Sequence, residues 1–482
     1  MKTKIAYILF FSFILTAYSQ DSNTTLKKWT LQECVDYAIT NNITVKQNEY
    51  NIDLAEIDKR GAIGNYLPTL NVNGSHGWNA GLTTDVSTGV LINATTQTTN
   101  GGISSNVLIY GGLRNLNELR RSEMNILANR YQLDKIKDDI SLFVINAYLE
   151  VLFGKEAVNV AIPQLEISRE QLRRTNQLVE AGTLPKGDLL EIQATLANDE
   201  QNLIITQNNV RLALLSLAQL LQLEDFNNFE IAETEISTLP LVNLADYSVE
   251  KIYETALQNR YEIKVAQANI DIAESDIKIA QASKQPTLSG FYNWNTRISN
   301  RDQIIGQEID PDNPFRVIGQ VQGSGDNVIA ENYRPLTGGP DSFGDQFDNN
   351  KGSSFGLALN IPILNGFNSS NRVRRAKIYF EQQKYQLDQE ELNLEKIIFQ
   401  VYTDALGALK LYEATQISVN AQNESFRYAQ EKFDVGVLNS FDFSQIKNRV
   451  VKAESDFLRA KYDFIFKVKL LEFYYGIPVS VQ

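Results

Sequence analysis

The chain repeats itself, and the repeat limits the folds open to it. Asn51–Asp58 (NIDLAEID) returns as Asn269–Asp276 (NIDIAESD), at an offset of 218 residues. In the same register Pro68, Thr69 and Leu70 return as Pro286, Thr287 and Leu288, and Ala38 and Asn41 as Ala256 and Asn259. A second register follows. Tyr131–Asp134 (YQLD) returns as Tyr385–Asp388, at an offset of 254. That offset holds through Tyr148 and Tyr402, Gly182 and Gly436, Asp188 and Asp442, and Glu200 and Glu454. Each half thus has two arms of fixed length around one variable segment, which is 36 residues longer in the second half. Such a repeat predicts two copies of one architectural unit, residues 20–240 and 241–482.

The first 19 residues stand apart. Lys2 and Lys4 precede an apolar run over residues 5–17, and Ala17 and Ser19 supply small residues before Gln20. This predicts a cleavable signal peptide, residues 1–19. The rest of the chain has no apolar run of about 18 residues, so no transmembrane helix is expected. Cys34 and His76 are the sole cysteine and histidine, which argues against a disulfide, a metal centre or a His-based catalytic site. No cofactor is expected. Net charge is −13 with no basic block, so nucleic acid is not an expected partner. Neither a catalytic triad spacing nor a phosphate loop is visible, and an enzyme is the least supported class.

Each half reads as helix, strand, loop, strand, long helix, turn, helix. In the first half a heptad stripe of Leu31, Val35, Ala38, Val45 and Ile52 predicts a helix over 30–63. Leu70, Val72, Gly74, His76 and Trp78 alternate with polar residues, the period of a strand. Residues 79–100 are Thr-, Asn- and Gly-rich and read as a polar loop before a strand at about 101–110. A long helix is expected to about Glu180, kinked at Pro163. A turn follows, with Asp188 placed to cap the next helix, which runs to about Gln222. An acidic linker occupies 223–246. The second half gives helix over 248–283, strand over 286–298, a polar loop over 299–351, strand over 352–364, and helices over 368–434 and 442–475. Strands and outer loops therefore fall at about 66–110 and 286–364, and hairpin tips at about 180–188 and 434–442.

The strands are long enough to cross a bilayer when tilted, and they alternate in polarity. Only a closed barrel can present strands to lipid, because an open edge leaves backbone groups unpaired. Four strands are too few to close one, so a barrel has to be shared between chains. Two chains give eight strands and three give twelve, and geometry alone leaves both open. A soluble coiled-coil rod with an edge-paired sheet is the alternative from pattern alone.

Residues 29–42 (WTLQECVDYAITNN), residues 65–70 (NYLPTL), and the tips Ala181-Gly182 with Asp188 and Val435-Gly436 with Asp442 resemble the TolC-type outer-membrane efflux protein family. The resemblance covers about residues 29–477. It implies an α+β membrane protein, a homotrimer whose twelve-stranded outer-membrane β-barrel (four strands per chain) continues into a periplasmic α-helical barrel. It implies a passive exit duct of a tripartite efflux system, with a periplasmic adaptor protein and an inner-membrane pump as partners and outer-membrane lipid around the barrel. The same duct in a type I protein secretion system is the runner-up, and a non-channel exported coiled-coil scaffold a more distant third. At the mouth, Asp188 and Asp442 are aperture candidates, Asp442 matching an acidic position of the family's ring. Phe433 and Leu438 stand where a tyrosine and an arginine lock a relative, and Gln445 replaces a second acid, so closure here is expected to be mainly apolar. Gly182, Thr183, Leu184, Gly436, Val437 and Leu438 are candidate adaptor contacts.

Overall fold

The computed structural model describes residues 28–86, 89–224, 226, 228–232 and 248–477. The expected signal peptide and most of the acidic linker lie outside the described residues. The elements in chain order are β1 (Lys28–Trp29), α1 (Leu31–Asn41), α2 (Ile43–Gly64), β2 (Thr69–Thr84), β3 (Leu91–Tyr110), α3 (Arg114–Glu180), α4 (Lys186–Leu221), β4 (Glu230–Ile231), α5 (Val249–Asn259) and α6 (Tyr261–Ala282). There follow β5 (Thr287–Ser299), β6 (Gln303–Ile309), β7 (Phe315–Gln320), β8 (Asn327–Glu331), β9 (Tyr333–Gly338), α7 (Phe343–Asn349), β10 (Gly352–Asn360), α8 (Asn368–Asp434) and α9 (Ser440–Tyr475).

The helices come in pairs of equal length. α1 and α5 have 11 residues, α2 and α6 have 22, α3 and α8 have 67, and α4 and α9 have 36. The chain forms two compact units, and each draws on both halves of the sequence. One comprises the described parts of Met1–Asn48, Leu133–Tyr261 and Glu391–Gln482; the other comprises Glu49–Gln132 and Glu262–Glu390.

In the first unit, α1 opens on a full capping box between Thr30 and Glu33. The single helix expected over 30–63 is broken at Asn42, and the one expected over 248–283 is broken at the repeat-equivalent Arg260. Both residues are extended, with φ −61° and ψ 130° at Asn42 and φ −69° and ψ 134° at Arg260. Tertiary partners hold the breaks. Asn42 Nδ2 donates to the Leu220 carbonyl at 3.3 Å. Arg260 pairs with Asp138 at 3.3 Å and lies 4.0 Å from the Phe473 ring centroid. The closing helices α4 and α9 both end on a left-handed residue, Gln222 (φ 60°) and Gly476 (φ 85°). α3 continues through Pro163. Among the described residues no helix is long and apolar enough to cross a membrane.

The second unit holds a four-stranded antiparallel sheet in the order β10-β5-β3-β2. Residues 79–100 depart from the expected loop. β2 and β3 continue through most of this stretch and pair in register from Thr69 with Asn106 to Thr84 with Leu91. Threonine, six times present over 91–100 and 83–84, is β-branched and favours the pleated surface despite its polarity. The loop expected over 299–351 is likewise structured, with two antiparallel ladders, β6–β9 and β7–β8, and the short helix α7. Gly112, at φ 65°, closes the turn into α3; a Cβ there would stand 2.6 Å from Gln285 Cβ, so glycine is required on both counts.

Candidate functional site at the hairpin tips and the two-faced sheet

Both tips end in the same hydrogen-bonded motif. Gly182 (φ 75°) and Gly436 (φ 77°) take the left-handed conformation expected of the tip glycines. The Thr183 and Val437 N–H groups donate to the Leu178 and Lys432 carbonyls, both at 2.9 Å. Gly182 and Gly436 N–H donate to Val179 and Phe433 at 3.0 and 3.1 Å. This is the Schellman closure, and it satisfies the last carbonyls of α3 and α8.

The reopening of the helices differs from expectation. Pro185, without a side-chain bond, is the N-cap of α4, and Asp188 sits in the first turn instead of at the cap. Asn439 caps α9. Its Oδ1 accepts from the Asp442 N–H and its Nδ2 donates to Asp442 Oδ2, both at 2.8 Å. Each aspartate thus lies at the positive end of its helix. Asp442 and Gln445 are exposed, whereas Asp188 is half-buried.

Phe433 is buried. It stacks on the fully buried Phe443 with ring centroids 4.6 Å apart. Ala429 completes this cluster, and Phe426, Leu438 and Ile446 pack around it. Leu438, named both for the aperture and for adaptor contact, is therefore half-buried against the turn's own core. Val437 is 74% exposed, and Gly182, Thr183 and Gly436 are exposed, with Leu184 half-buried. An ion pair that the sequence did not reveal joins α3 to α8, Arg174 Nη1 to Asp434 Oδ1 at 2.5 Å, with the guanidinium 5.8 Å from the Phe433 centroid. Both partners are partly exposed, so its net worth is small, about 0–1 kcal/mol.

Further along the same helices lies a buried ion pair. Lys447 on α9 is fully buried, and Nζ donates to the Gln164 carbonyl at 2.9 Å, to Ser168 Oγ at 2.5 Å and to Asp199 Oδ2 at 2.5 Å. Ser168 also donates to Asp199. Thr195 and Ser444 share a bond at 2.9 Å beside it. Burial holds the Lys447 ammonium below the ordinary lysine range, and the bond and charge of Asp199 pull it back up. Glu454, one helical stretch on, is pushed up by burial, with the Gln164 side-chain bond opposing. In the repeat, Gln193 and Ala453 stand where Lys447 and Asp199 would be. The pair thus belongs to one copy alone, and no periodicity in the sequence could point to it.

The sheet has two chemically distinct faces. Register places Val72, Ile103 and Trp294 on one of them, and Tyr292 and Phe355 beside one another on the same side. Leu70, Val72, Leu82 and Phe355 on that side are exposed by more than two-thirds within the chain. An unburied leucine or phenylalanine forgoes about 1.5–3 kcal/mol, so this face demands an apolar covering. The opposite face carries Asn71, Asn73, Asn100, Asn106, Asn293 and Asn295, with serines and glycines between. The outer strands β2 and β10 each have one unpaired edge in the sheet. His76 lies on the apolar side, 2.7 Å from Thr99 Oγ1 and edge-on to Trp78. Among the described residues no group of three or more His, Cys, Asp and Glu side chains could hold a metal ion.

Paired long helices and a two-faced antiparallel sheet define the class of fold. The chain belongs to the outer membrane efflux protein family, whose pattern matches residues 34–222 and 252–471. It is 21% identical to outer membrane protein TolC of Vibrio cholerae serotype O1 over 68% of this chain and 65% of that protein. It is also 21% identical to the alkaline protease secretion protein AprF of Pseudomonas aeruginosa over 69% of this chain and 60% of the relative. The matched stretch thus spans less than two-thirds of either relative. Among solved structures it resembles the outer membrane protein VceC of Vibrio cholerae, with TM-score 0.71 and 13% identity over 92% of this chain and 96% of the other. At that identity the likeness is one of fold.

Proposed function

We propose that the chain is the outer-membrane exit duct of a tripartite export system and conducts substrates passively, with no catalysis of its own. The two-faced sheet with its unpaired edges carries this reading. Its apolar side suits lipid and its asparagine side suits water, and β2 of one copy pairing with β10 of the next would leave no edge in the bilayer. Three copies supply twelve strands, enough for a water-filled lumen, where eight would fill with side chains. The long helices then form the periplasmic wall. Their tips meet an adaptor and, through it, an inner-membrane pump that supplies the energy. Val437, Thr183 and the two glycines are the exposed candidates for that contact, with Leu184 at its edge.

Asp442 is the leading aperture residue. It is exposed in the first turn of α9, and three copies around a narrow mouth would favour cations. Asp442→Asn is expected to shift the ion selectivity or single-channel conductance of the purified protein in planar bilayers toward anions. Unaltered selectivity and conductance would remove Asp442 from the mouth. Phe433 and Phe443 serve the tip from inside the chain, as packing. A second reading, export of polypeptides, is favoured by the relative named for protease secretion. Co-purification after crosslinking separates the two: an ABC exporter among the partners favours polypeptides, and a proton-driven pump favours small molecules.

A further inference from the structure

The sheet is nearly devoid of charge. Asp, Glu, Lys and Arg make up 21% of the chain. Across β2, β3, β5 and β10, however, Arg297 is the sole member of these four types. It lies on the asparagine side. Register places it opposite Asn100 of β3, which itself pairs with Ser75 of β2, and it shares its face with Asn293 and Asn295.

Arg297, Asn100, Asn293 and Asn295 line a cleft of about 570 Å³, together with Asn73, Ser104 and Asn350. Gly102 keeps that cleft open, since a Cβ there would stand 3.2 Å from Asn73 Oδ1. The Arg297 side chain is exposed, and among the described residues no carboxylate pairs with it. Two charged groups of the adjoining loops are engaged elsewhere. Asp348 pairs with Lys351 at 3.0 Å, and Arg301 donates to the Thr84 carbonyl at 2.6 Å.

Amides donate and accept hydrogen bonds without preferring either sign of charge. A fixed guanidinium among them therefore sets the sign of the local potential. We infer that Arg297 is the charge-selecting residue of the barrel section, and that this polar face passes anionic, hydrogen-bonding solutes more readily than cationic ones. The inference rests on the channel reading, under which three copies place a ring of three guanidinium groups in the lumen. It is independent of the proposal for the aspartates at the helical tips, which would act with the opposite sign.

Screening provides the test. The field of an exposed charge reaches about 8 Å at 0.15 M salt and about 3 Å at 1 M. The full chain is reconstituted in planar bilayers, with dilute KCl on the side of the β5–β10 loop, and the reversal potential gives the chloride-to-potassium permeability ratio. Arg297→Gln is expected to lower that ratio about twofold, Arg297→Glu to lower it further, and Arg297→Lys to keep it. Raising the loop side alone to 1 M KCl is expected to abolish the differences. Detergent-resistant assembly of each variant checks that it folds. Equal ratios for wild type, Arg297→Gln and Arg297→Glu in dilute salt would overturn the inference while leaving the channel intact. A wild-type chain that gives no conductance at all would overturn the channel reading itself, and this inference with it.

Discussion

Asp199→Ala is expected to destabilise the helical unit by about 3–5 kcal/mol, the usual cost of stranding one member of a buried ion pair. The reason is Lys447. Its side chain is fully buried, and among the described residues Asp199 is the one carboxylate that pairs with it. Without Asp199 the ammonium keeps only the Gln164 carbonyl and the Ser168 hydroxyl. The double variant Asp199→Leu with Lys447→Met is expected to recover most of the loss, because two apolar side chains need no compensation. Thermal or denaturant unfolding followed by the helical circular-dichroism signal measures both. A single variant as stable as wild type would mean that water reaches Lys447.

The second large effect is expected at the tip. Phe443→Ala removes a fully buried ring that touches both Phe433 and Phe426. Truncating such a phenylalanine costs about 3–5 kcal/mol. The loss falls on the α8–α9 turn, so limited proteolysis is expected to cut near residues 434–442 in the variant and to spare wild type. Gln445→Ala, two residues on but exposed, is the control and is expected to change neither stability nor cleavage. Equal protease resistance in Phe443→Ala would mean that the Schellman closure and the Asn439 cap hold the tip without its core.

Much of this architecture was legible in the residues. Gly182 and Gly436 mark the reversals because positive φ at a helix end calls for glycine, and the constant offset between them carries through to helices of matched length. The breaks at Asn42 and Arg260 were hidden for the opposite reason. The heptad stripe runs straight across them, and what turns the chain there is contact with distant groups, the Leu220 carbonyl in one half and Asp138 with Phe473 in the other. The extension of β2 and β3 through residues 79–100 was masked by composition. Thr and Asn read as loop when polarity is weighed alone, yet a strand that faces water on one side needs those residues. At the tips, position showed where Phe433 and Leu438 lie but not which way they face. Their partner Phe443 follows the turn, and its ring folds back beneath it. Lys447 and Asp199 were out of reach, since they lie 248 residues apart and their repeat equivalents are uncharged.

One chain is expected to hold a third of a membrane barrel. Light scattering of the detergent-extracted particle, corrected for bound detergent, tests it most directly. A protein mass of three chains, in a particle that enters solution only with detergent, is the predicted result. A particle of one or two chains, or one released into water without detergent, would contradict it.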